Sequence, residues 1–176
     1  MVASAASMIV GCTVPQARVA ALSETLARHA SATAALEEWC ARNGFAHDPQ
    51  ITARRLPGGG DMTAGVREHL VLAPGAPLGF RNVALACGDR VLSVARNWYN
   101  PVLLTPAMNA ALAASDTPFG KVVSSLSFTR ETIDQRRGGE PGCPAGTVLS
   151  QVALLRLPDG RPLAFLTECY TRAAVE

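Results

Sequence analysis

Lysine is almost missing from this chain: Lys121 is the only one, so arginine supplies nearly all of the 16 basic residues. Charged residues of every kind make up 17% and aromatics 5%, against 48% hydrophobic. So little charge excludes a disordered tail or a charged coiled coil as the main architecture. The excess of basic over acidic residues is small, 16 against 14, and gives no reason to expect nucleic acid or an anionic membrane surface as a partner. No run approaches the roughly 18 apolar residues that a membrane-spanning helix requires. The guanidinium-heavy balance suits bidentate contacts with carboxylates, although a GC-rich genome produces the same bias.

Catalytic and metal-binding signatures are equally sparse. The histidines His29, His47 and His69 fall on separate elements, and no Cys-x-x-Cys occurs, so no metal is expected. The five cysteines (Cys12, Cys40, Cys87, Cys143 and Cys169) show no framework spacing and read as reduced, buried thiols of a cytoplasmic protein. No Gly-x-Ser-x-Gly is present, and Pro57-Gly58-Gly59-Gly60 lacks the Lys-Ser/Thr that would make it a phosphate loop. Residues 1–15 read as a leader, floppy or a signal remnant. There Ile9-Val10-Gly11-Cys12 resembles a lipoprotein cleavage box, which leaves export or lipid anchoring through Cys12 as the alternative localisation.

What is present has the length of one domain, 16–176, able to bury its own core. Val19, Leu22, Leu26, Ala30, Ala34 and Trp39 form a helical stripe that Ser31 and Thr33 interrupt, giving two helices closed by Asn43-Gly44. Ile51 to Leu56 and Arg67 to Leu72 read as strands, the second followed by a Pro-Gly-Ala-Pro turn. Phe80 to Cys87 and Val91 to Tyr99 flank Gly88-Asp89 as a hairpin. Thr105-Pro106 and Thr117-Pro118 open two short helices. Leu126 to Ile133 is a strand, Asp134 to Gly146 a polar loop, and Val148 to Leu157 with Pro162 to Arg172 a second hairpin. The expected fold class is α+β: a single antiparallel sheet with N-terminal helices and two short helices packed on it, enclosing a ligand pocket.

Within that sheet three charged residues interrupt apolar strands: Arg81, Arg96 and Glu168. Each is an outward-facing or ion-paired strand residue unless it serves a ligand. Together they suit an anionic small molecule with an ionisable or hydroxyl group at its far end.

An ordered series of short motifs resembles the chorismate pyruvate-lyases of ubiquinone biosynthesis. It runs through Phe80-Arg81-Asn82-Val83-Ala84-Leu85-Ala86-Cys87, Ala95-Arg96, Pro101, Thr117-Pro118-Phe119-Gly120, Thr129-Arg130 and Leu166-Thr167-Glu168, within residues 80–172. The resemblance implies a fold shared with the UTRA effector-binding domains of bacterial transcription regulators, so fold alone does not separate catalysis from binding. It further implies a monomer needing no cofactor that converts chorismate to 4-hydroxybenzoate and pyruvate. Arg81 would hold a carboxylate, Arg96 would meet the second one or simply balance charge, and Glu168 would donate or relay a proton to the ether oxygen. Phe119 and Gly120 would line the pocket with Ala32, which stands where the family has a methionine. Phe119 replaces a leucine, and Asn97-Trp98-Tyr99-Asn100 replaces small β-branched residues. The alternative is a non-catalytic protein of the same fold that binds an aromatic or carboxylated ligand.

Overall fold

The computed structural model describes residues 16–58 and 65–176. The leader and its Cys12 lie outside the described residues, as does part of the Gly-rich loop. Two helices come first, α1 (Gln16–Ala27) and α2 (Ala32–Asn43). They break at Ser31, and α2 stops at Gly44, whose φ of 62° lets its N–H turn back onto the last carbonyls. The strands are β1 (Ile51–Arg55), β2 (Gly79–Cys87), β3 (Arg90–Tyr99), β4 (Thr129–Arg137), β5 (Thr147–Arg156) and β6 (Pro162–Thr171). The short helices are α3 (Val66–His69), α4 (Pro106–Ala114) and α5 (Phe119–Val122). Helix α4 starts as its sequence dictates: the Thr105 hydroxyl accepts from the Met108 N–H, with proline in the first turn.

All six strands form one antiparallel sheet in the order β1-β2-β3-β6-β5-β4. The β2–β3 and β5–β6 hairpins meet at the β3–β6 seam, so the expected α+β fold class is the one observed. Residue alternation gives the sheet two covered faces. On one, Leu22, Leu36 and Trp39 from α1 and α2 pack with Val83, Leu85 and Ala95, beside a second cluster of Leu112, Phe119 and Leu166. On the other, Val66 and Leu70 cover Trp98, Leu154 and Phe165.

Three expectations are corrected. Residues 67–72 are not a strand: Val66 and Leu70, four apart, are both buried on helix α3 and its following turn, and Arg67 donates to the Ala73 and Ala76 carbonyls. Tertiary burial outweighs the local alternation there. Strand β4 starts at Thr129 and continues through Arg137, taking in the first four residues assigned to the polar loop. Those residues are charged because β4 is an edge strand facing water, where charge protects against edge-to-edge pairing.

The four described cysteines are not free thiols. Cys40 on α2 is bonded to Cys87 at the end of β2, and Cys143 in the 138–146 loop is bonded to Cys169 on β6. The partners are 47 and 26 residues apart, and folding alone brings them together. Such cross-links contribute roughly 2–4 kcal/mol each, mainly by restricting the unfolded chain. Alkylation of the unreduced protein in denaturant should therefore leave Cys40, Cys87, Cys143 and Cys169 unlabelled, and reductant should lower the melting temperature. Five labelled cysteines before reduction would refute both bonds.

Candidate functional site

Beneath the break between α1 and α2, the first face of the sheet stays open over a small internal cavity. Ala30 to Thr33 and the α5 residues Phe119 and Gly120 form its roof. Its floor is built from alternate residues of four strands: Leu85 of β2, Ala95 and Asn97 of β3, Leu166 and Glu168 of β6, and Leu155 of β5. Phe128 and Arg130 close one side. Gly120 is required by the roof, because a Cβ there would stand 2.2 Å from the Ser31 hydroxyl. The cavity offers about 30 Å³, room for two or three waters at the ~10–15 Å³ each needs. Outside the roof lies a groove of about 520 Å³ that shares Ser31, Thr33, Gly120 and Phe128 with the cavity. Lys121 sits on that groove, ion-paired with Glu37 at 2.6 Å.

The charge inside the cavity is concentrated in one pair. Arg130 reaches from β4 across β5 to Glu168 on β6, with Nη2 donating to Oε2 at 2.5 Å and Nη1 to Oε1 at 3.4 Å. Arg130 Nη2 also donates to Gln151 Oε1 at 2.9 Å, and Gln151 Nε2 donates to Gln135 Oε1 at 2.6 Å. The Tyr170 hydroxyl donates to Glu168 Oε2 at 2.9 Å. Both members of the pair have side chains about 95% buried (6% and 4% exposed), so each needs the other. Burial works against the charge on Arg130, but the charge and hydrogen bond of Glu168 together with Tyr170 outweigh it and the guanidinium pKa rises. Burial, reinforced by Glu168, holds the Tyr170 hydroxyl well above its ordinary pKa.

Of the residues singled out in the sequence, the cavity brings together Ala32, Phe119, Gly120 and Glu168. Arg81 and Arg96 do not line it. Arg81 shares the cavity face through its register with Asn97, yet its guanidinium turns to the α4–α5 connection and donates to the Ser115 and Thr117 carbonyls at 3.0 and 2.9 Å. Burial, and Arg55 beside it, lower its pKa. Arg96, one residue out of phase, emerges on the opposite face. There it stacks 5.7 Å from the Trp98 ring centroid, donates to the Pro141 carbonyl and leaves no room for a side chain at Gly142. His29 pairs with Glu38 at 2.6 Å, and His69 stacks on Phe165.

Sequence reasoning did not name Arg130, Asn97, Gln151 or Tyr170 as site residues. Arg130 had a signal, since Thr129-Arg130 belongs to the motif series in a strand near Glu168. Asn97 had one in its departure from the β-branched pattern.

Arg130→Met should destabilise the protein by roughly 3–5 kcal/mol in denaturant unfolding, because it strands Glu168 without a cation. A cost below about 1 kcal/mol would mean the pair is hydrated. Tyr99 and Tyr170 are the chain's two tyrosines, and burial raises the pKa of both above 10.0. The unfolded chain then loses these protons first, so stability held below pH 10 falls as pH rises further. Phenolate absorbance should appear only with unfolding; a titration centred near pH 10 in the folded protein would contradict this burial.

No protein-family model matches the chain. Among solved structures, the effector domain of PhnF from Mycobacterium smegmatis superposes with a TM-score of 0.53 at 10% identity, covering 81% of this chain and 88% of that one. The possible transcriptional regulator YydK from Bacillus subtilis gives a TM-score of 0.50 at 13% identity, covering 72% of this chain and 59% of that one. At these identities the likeness establishes the fold, which is the UTRA-like one. A curated protein is nearer in sequence: uncharacterized protein y4mC of Sinorhizobium fredii (strain NBRC 101917 / NGR234) is 34% identical over 175 residues, covering 88% of this chain and 74% of that protein. The chain therefore belongs to the same family as y4mC.

Proposed function

We propose that this chain binds a small molecule without transforming it, as a ligand-binding member of the UTRA-like fold. The observation that carries this reading is the small, mainly apolar cavity whose lining carries two charges, Arg130 and Glu168, satisfied by each other. A lyase acting on chorismate must hold a dianion, and so needs cations facing the ligand. Arg81 donates through both terminal nitrogens to backbone carbonyls, only its buried Nε staying unpartnered, and Arg96 serves the other face. A lone cation already paired with a carboxylate leaves the second carboxylate of chorismate without a partner, at a desolvation cost that aromatisation of the ring does not recover in binding.

The test has two arms. Incubation with chorismate, followed by assay for pyruvate and 4-hydroxybenzoate, should yield neither above the buffer control. Appearance of both in equal amounts would replace the binding reading with the catalytic one. A melting-temperature screen of small ring compounds should give stabilising hits that disappear in Ala32→Leu, a variant that fills the roof of the cavity. If no hit depends on Ala32, the cavity is not the binding site.

A further inference from the structure

Asn97 is the one polar side chain of the cavity floor that the protein leaves unused. It lies in the middle of β3, is 5% exposed, and its carboxamide has no hydrogen-bond partner among the described residues. The carboxamide atoms keep a little accessible surface where the cavity opens onto them, so water or a ligand group completes their hydrogen bonds. Its place is fixed by register. Asn97 stands opposite Leu166 on β6, diagonal to Glu168 two residues on, and directly across from Arg81 on β2. Thr33 at the roof, also 5% exposed, has a side-chain hydroxyl with no hydrogen-bond partner among the described residues. With the Ser31 hydroxyl, which caps no helix N–H, the available groups are thus an amide and two hydroxyls, each able both to donate and to accept.

The charged groups are committed elsewhere. Arg130 Nη2 is shared between Glu168 Oε2 and Gln151 Oε1, and Glu168 Oε2 also receives the Tyr170 hydroxyl. An incoming carboxylate would have to displace Glu168 from Arg130 or lie beside it as a second buried anion. Either is expensive where water is excluded. An uncharged head group meets neither penalty, and can replace the waters that would otherwise complete Asn97.

We propose that the cavity selects an uncharged ligand whose amide, lactam or hydroxyl group is read by the Asn97 carboxamide, while the Arg130–Glu168 pair stays closed on itself as part of the wall. This rests on the binding reading above and names its ligand class. The motif series does not contain this feature. It arises where Asn97 stands in place of the small β-branched residues of the lyases.

The experiment uses matched pairs of small aromatic acids and their primary amides: benzoate with benzamide, 4-hydroxybenzoate with 4-hydroxybenzamide, and phenylacetate with phenylacetamide. Calorimetric titration of the full chain at pH 7.5 should show each amide that binds doing so more tightly than its acid, by on the order of tenfold or more, because a site built to hydrogen-bond one group rejects its mismatched analogue. Asn97→Leu should abolish that preference. Its own melting temperature without ligand should stay level or rise, since no protein hydrogen bond is lost. Tighter binding of the acids would overturn the charge selection and leave the binding reading intact. A preference that survives in Asn97→Leu would remove Asn97 from the recognition. Failure of all six compounds to bind would count against the binding reading itself.

Discussion

Strands β3 and β6 come from different hairpins and pair from Ser93 with Tyr170 through Tyr99 with Ala164. That seam is the constraint on which the site depends. It places Ala95 beside Glu168 and Asn97 beside Leu166, all facing the cavity. A slip of one residue would carry Glu168 to the face of Trp98 and bring Thr167 under the helices. Register is held from both sides. Leu163 and Leu166 fit among Leu112, Phe119 and Val123 on one face, while Trp98 and Phe165 lock against Val66 and Leu70 on the other. The Cys143–Cys169 bond then pins β6 to the loop on that second face.

The arginines show how a chain with almost no lysine manages buried charge. Arg81 and Arg55 end on carbonyls at and just beyond the C-terminus of α4, where the helix dipole and orphan acceptors favour a cation. Arg90 donates to the Ala173 carbonyl near the chain end. These guanidiniums work as connectors between elements, each satisfying carbonyl oxygens that no strand or helix reaches. Only Arg130 spends its fork on a buried carboxylate. A count of arginines near the sheet therefore overstates the positive charge that a ligand meets.

Closure of the cavity is the other consequence of local packing. The α1–α2 break brings Ser31 against Gly120, and the Arg28, His29 and Glu38 cluster ties the end of α1 to α2 across the break. The Lys121–Glu37 pair spans the outer groove between α5 and α2. These latches are partly exposed ion pairs, each worth only about 0–1 kcal/mol in water.

Much of the architecture was legible in the chain. Helical spacing of Leu22, Leu26 and Trp39, the Gly88-Asp89 turn, the Thr-Pro helix starts and the paired hairpin strands are local signals, and local sterics and burial periodicity decide them. Glu168 was legible too, as a carboxylate in an apolar strand. The extent of β4 was not, because a water-facing edge strand loses apolar alternation, nor was α3, whose two buried residues are explained only by the sheet they cover. Both disulfides depend on residues far apart in sequence. The largest difference concerns which charges face the ligand. Sequence gave Arg81, Arg96 and Glu168 to neighbouring strands, but side-chain direction follows register and the nearest unsatisfied acceptor. Alternation sent Arg96 to the far face, carbonyls past α4 claimed Arg81, and Arg130 took the place beside Glu168. The sequence by itself determined the elements and the apolar faces they bury. Only the tertiary structure decided which polar groups remain unpaired in the cavity, because that depends on how every other donor and acceptor around it has been satisfied.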